Sequence, residues 1–96
     1  MALVRTGRIY VRAGKYEAAV SALRTALAEF TRTGDPHGRF LAHYWLSMAY
    51  HELGDGDRAR FEAQSAVHFS GFVDKRSCPE ARDMRALRAL GRYDDA

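Results

Sequence analysis

The apolar positions of this chain recur at helical intervals along most of its length. Leu3, Gly7, Tyr10 and Ala13 fall at i, i+4, i+7 and i+10, one face of a helix. Ala19, Ala22, Leu23, Ala26, Leu27 and Phe30 mark a second helix. Leu46, Tyr50 and Leu53 mark a third, with Ala42 and Ala49 as small packing positions. Ala59, Ala63, Ala66 and Val67 mark a fourth, and Ala81, Met84, Leu87 and Leu90 a fifth. No alternation of period two competes, and 16 alanines favour helix. The predicted helices cover 2–13, 16–31, 36–53, 56–69 and 78–90.

Boundary residues agree with this division. Asp35-Pro36 reads as an N-cap followed by proline at the first helical position. Ser77 and Glu80 stand at capping-box spacing before the fifth helix. Gly34 and Gly71 sit just past the second and fourth helices. The short connections predict antiparallel helical hairpins.

The chain also resembles itself. Ala13-Gly14-Lys15-Tyr16-Glu17-Ala18-Ala19, Leu53-Gly54-Asp55-Gly56-Asp57-Arg58-Ala59 and Leu90-Gly91-Arg92-Tyr93-Asp94-Asp95-Ala96 share a glycine, polar positions and a closing alanine. Their glycines stand 40 and 37 residues apart, each where a helix needs a left-handed residue to stop.

These residues resemble the tetratricopeptide repeat family. The first unit supplies Leu3, Thr6, Gly7, Tyr10, Ala19, Leu23 and Ala26. The second supplies His43, Leu46, Ser47, Tyr50, Ala59, Ala63 and Ala66. The third supplies Met84, Leu87, Gly91, Tyr93 and Ala96. Departures are Asp83 and Glu80 where the family is usually apolar or large, and Gly56 in place of the tyrosine seen at Tyr16. The longer period, with its extra residues from Thr31 to Gly38, is similar to the roughly 40-residue variety common in bacterial signalling and regulatory arrays. The resemblance implies an all-α right-handed solenoid of antiparallel helix hairpins. One domain, 1–96, would hold repeat 1 at about 1–34, repeat 2 at about 35–71 and a partial repeat 3 at about 77–96. An array ending there would leave the Met84, Leu87 and Leu90 face partly uncovered. Self-association through that end, or a longer array, is therefore expected.

Length and composition bound the alternatives. Ninety-six residues with 47% hydrophobic content make one small domain with a thin core. One cysteine, Cys78, cannot bridge internally. Arginines at 5, 8 and 12 interrupt any signal-peptide core, and no stretch is long enough to span a bilayer. The expected setting is cytoplasmic, without membrane contact. The net charge of +3 is mild, but only Lys15 and Lys75 of the 15 basic residues are lysines. Arginine forks suit carboxylate and phosphate partners and stack on aromatic rings.

Family arrays use the inner face of each first helix to hold a peptide, and the resemblance carries that face onto this chain. Arg5, Arg8 and Arg12 recur at i, i+3 and i+7, and Arg82, Arg85 and Arg88 at i, i+3 and i+6. Tyr44, Trp45, Met48 and His51 form an aromatic and soft patch between them. The expected function is a non-enzymatic module that binds an acidic peptide or protein segment on these ten residues. The alternative is the effector-sensing part of a bacterial transcription or signalling regulator. The family's carboxylate clamp is not expected, because Val4, Arg8, Trp45 and Arg82 stand at its places and the chain has no asparagine.

Other chemistry finds little support. His37, His43, His51, His68 and Cys78 show no paired metal-ligand spacing, so no metal or cofactor is expected. Cys78 precedes a helix start, where a macrodipole lowers a thiol pKa, but no base is placed beside it. Twelve acidic residues dilute the basic field, so direct nucleic-acid binding is not expected either.

Overall fold

The computed structural model describes residues 2–82 and 84–91. Asp83, Tyr93 and Ala96 of the third unit lie outside the described residues, as does the side chain of Leu90. The described chain folds into six helices: α1 (Ala2–Arg12), α2 (Tyr16–Thr33), α3 (Pro36–Glu52), α4 (Gly56–Ser70), α5 (Pro79–Arg82) and α6 (Arg85–Gly91). α1, α2 and α3 each pack antiparallel on the next helix, α6 packs on α4, and contacts also run from α1 to α3 and from α3 to α6. That order, neighbours plus the next helix but one, makes a helical-hairpin solenoid.

Local chemistry sets the first four helices. Gly14 and Gly54 take φ of +78° and +80°, the left-handed conformation expected of them. Each lets the following amide reach back across the helix end: Lys15 N–H to the Tyr10 carbonyl at 2.8 Å, Asp55 N–H to the Tyr50 carbonyl at 3.0 Å. Asp35 caps α3 by accepting the Gly38 N–H at 3.1 Å, with Pro36 beside it, and Asp55 accepts the Arg58 N–H at 3.2 Å. Gly71 is different. Its φ is −66°, so it continues the right-handed turn into the loop after α4.

The fifth predicted helix is two short ones, and the reason is phase. Cys78, Ala81, Met84 and Leu87 are all buried, at a spacing of three residues. On one continuous helix that spacing drifts by about 60° per step, spreading the four side chains over half the circumference. Ending α5 at Arg82 and starting α6 at Arg85 resets the phase, so Met84 and Leu87 join the same core as Ala63 and Ala66. The capping box at Ser77 is not formed. Ser77 hydroxyl and amide both donate to the Asp74 carbonyl at 3.2 Å, while the Cys78 carbonyl accepts from Ala81 and Arg82. The uncovered face expected at Met84 and Leu87 is closed, at 6% and 0% exposure.

Two apolar clusters make the core. Ala19, Leu23, Leu46, Ala49, Tyr50 and Ala59 form one; Val4, Ala26, Phe40, Leu41, Ala63, Ala66, Val73, Cys78 and the α5–α6 residues form the other. Trp45 is half-buried and packs against both. Tyr50 is held from two sides: Arg24 Nε donates to its hydroxyl at 2.8 Å, and the guanidinium groups of Arg24 and Arg58 lie 5.6 and 5.9 Å from its ring.

Candidate partner-binding groove

α1 and α3 are alternate helices of the solenoid, so they run side by side and leave a groove. Val4, Arg5, Arg8, Leu41, Trp45 and Glu80 line a hollow of about 160 Å³ there. Its floor is apolar: Val4 and Leu41 are 6% and 7% exposed. Arg5 is exposed at the lip and Arg8 is half-buried. Arg12, two turns from Arg5, lies with its guanidinium 5.9 Å from the Trp45 ring centroid. The α1 arginine row and the α3 aromatic patch are thus in contact, as their helical spacing predicts.

Two residues that line this groove carry donors with no bond among the described residues. Arg8 Nε and Trp45 Nε1 are buried and have no hydrogen-bond partner there. Such groups cost free energy when desolvated and unpaired, so they favour an incoming acceptor. A third such atom, Arg39 Nε, lies elsewhere, on a guanidinium 5.4 Å from the Phe69 ring.

The rest of the aromatic patch is divided. Tyr44 is half-buried and meets Trp45 edge-on with ring centroids 5.0 Å apart. Met48 is half-buried against the core, and His51 is exposed near the end of α3. The third arginine row does not line this groove. Arg82 ends α5, while Arg85 and Arg88 belong to α6, and the three surround a different hollow with Lys75. Glu80, one residue from Ala81, is the acid that enters the first groove instead.

One buried polar pair is absent from the sequence reading. His43 Nδ1 lies 2.9 Å from Glu62 Oε1, joining α3 to α4, with side chains only 11% and 4% exposed. The His43 ring stacks on Phe69, centroids 5.8 Å apart and planes 5° from parallel. A signal existed. Glu62 falls in the Ala59, Ala63, Ala66 stripe, a charged residue on an apolar helix face that requires a partner.

The chemistry of Cys78 runs opposite to an activated thiol. Burial pushes its pKa above the ordinary value, and the weaker hydrogen bond from Ala81 does not offset it. Cys78 is expected to react slowly with a disulfide reagent at pH 8 in the native protein and rapidly in urea; equal rates would show that the thiol is accessible. Among the described residues no three His, Cys, Asp or Glu side chains are grouped to hold a metal ion. No described helix is long and apolar enough to cross a membrane.

Two family models, each described as tetratricopeptide repeat, match the chain over residues 2–29 and 41–60. The first match spans α1 and most of α2, and the second runs from α3 through the Gly54 turn into α4. No curated protein and no solved structure matches.

Proposed function

Because the chain carries tetratricopeptide repeats, which imply a protein–protein interaction module, we propose that it holds an acidic peptide or protein segment in the groove between α1 and α3. The observation that carries this reading is the pair of buried N–H groups without a partner among the described residues, Arg8 Nε and Trp45 Nε1, on residues lining one groove. An acidic side chain in the groove meets the Arg8 guanidinium, while Arg5 and Arg12 add long-range attraction that raises the association rate. Val4, Leu41 and the faces of Tyr44, Trp45 and Met48 accept an apolar anchor beside the acid. Arginine and tryptophan are the side chains that concentrate binding energy at interfaces. His51 extends this surface toward the end of α3. The role is binding without chemistry, as is general for these repeats.

Trp45 is the single tryptophan, so its fluorescence reports directly on the groove. A synthetic peptide with glutamates flanking a leucine is expected to change that fluorescence saturably, and its lysine counterpart is not. Arg5→Glu with Arg8→Glu should weaken the glutamate peptide by about tenfold or more, with affinity falling as salt rises. Glu80→Gln should strengthen it, because an acid leaves the lining. Unchanged affinity in the double arginine variant rejects this groove as the site.

A further inference from the structure

The second hollow has a chemistry of its own. Lys75, Arg82, Arg85 and Arg88 surround a space of about 360 Å³ floored by Ala81 and Met84. Four cations from three segments converge there: the loop after α4, the end of α5, and α6. Like charges around one space repel each other, and their summed field draws an anion.

Among the described residues, the carboxylates nearest in sequence are engaged elsewhere. Asp74, next to Lys75, accepts the Arg76 amide at 2.9 Å inside its own turn. Glu80 lines the other groove. Lys75, Arg82 and Arg88 enter no ion pair among the described residues, whereas Arg32, Arg58 and Arg60 each sit beside an acid three residues back. The loop turn that tethers Ser77 to Asp74 fixes where Lys75 stands, and the break between α5 and α6 fixes where Arg85 and Arg88 stand relative to Arg82.

We propose that this hollow is an anion site for a small molecule carrying two linked phosphate groups. The forks of Arg82 and Arg88 with the Lys75 ammonium match the many oxygens and multiple charges of a diphosphate, and Arg85 adds its charge at the edge. A single carboxylate engages too few of them. The buried Met84 side chain closes the floor against water. The site is distinct from the α1–α3 groove and does not depend on what that groove binds.

Calorimetric titration of the full chain at low ionic strength tests it, with inorganic pyrophosphate, orthophosphate, adenosine diphosphate and citrate as probes. Pyrophosphate is expected to bind one to one, more tightly than orthophosphate or citrate, and to raise the melting temperature. Arg82→Ala and Arg88→Ala, both at exposed positions, should each weaken it about tenfold. Lys75→Ala should weaken it less, and Arg32→Ala, remote on α2, should leave it unchanged. Binding of adenosine diphosphate as tight as that of pyrophosphate identifies a nucleotide source; binding of pyrophosphate alone identifies an inorganic one. Circular dichroism confirms that each variant keeps its helices. Absent saturation by pyrophosphate, equal affinity for citrate, or undiminished binding in the folded Arg82→Ala/Arg88→Ala double variant overturns the proposal.

Discussion

His43→Ala is expected to destabilise the fold by about 3–5 kcal/mol, a large share of the roughly 5–10 kcal/mol available to a domain of this size. The substitution leaves the Glu62 carboxylate at the α3–α4 interface, 4% exposed, without the imidazole 2.9 Å away. It also removes the ring stacked on Phe69. Glu62→Gln keeps a hydrogen-bonding oxygen and should cost only about 1 kcal/mol. Replacing both residues together, His43→Leu with Glu62→Met, should recover most of the loss, since an apolar pair of similar volume meets no unsatisfied group. Urea unfolding of the three variants beside the unsubstituted protein measures these differences. A double variant no better than His43→Ala would mean that the pair contributes through packing rather than through its polar contact.

Gly7→Leu should be nearly as damaging, and Gly7→Ala intermediate. A Cβ built on Gly7 falls 2.5 Å from Cγ and Cδ2 of Leu23, which is fully buried. Leu23 cannot retreat, because it belongs to the cluster that joins α2 to α3 and α4. Overpacking of this kind costs about 1–3 kcal/mol for the added methyl, against about 1 kcal/mol gained in helix propensity. The larger leucine has no space at all and should separate α1 from α2. Because α1 forms one wall of the groove, Gly7→Leu should also abolish binding of the glutamate peptide. Thermal unfolding of the three proteins checks this. A more stable Gly7→Ala protein would show that the close approach of α1 and α2 is not required. Gly38 stands in the same relation to the Phe30 ring, at the approach of α2 and α3.

These two sites were unequally visible in the sequence. Gly7 and Ser47 were legible as small positions at helix contacts, because the repeat places them at equal intervals from Tyr10 and Tyr50. The partner of Gly7 was not legible, since Leu23 lies on another helix. His43 appeared as a scattered histidine, and nothing along the chain paired it with Glu62. They are 19 residues apart, and only the α3–α4 crossing makes them one pair.

The same division holds for the binding surfaces. Helical spacing alone places Arg5, Arg8 and Arg12 on one side of α1, and the repeat pattern sets α1 beside α3, so the contact of Arg12 with Trp45 follows from local rules. The third arginine row was expected on one continuous helix facing the same way. Its separation depends on α4, whose buried surface draws in Cys78, Ala81, Met84 and Leu87 at a spacing that no uninterrupted helix satisfies.

Helix turns at Gly14 and Gly54, the caps at Asp35 and Asp55, and the order of the hairpins were therefore set by chemistry within a few residues along the chain. Such interactions act wherever the segment goes. The break between α5 and α6, the His43–Glu62 pair, the unpartnered N–H groups of Arg8 and Trp45, and the gathering of Lys75 with three arginines depend on which surfaces meet. Burial against a distant helix sets the phase of a short helix more strongly than its own propensity does, and desolvation decides whether a polar atom needs a partner. Neither quantity exists until the helices pack.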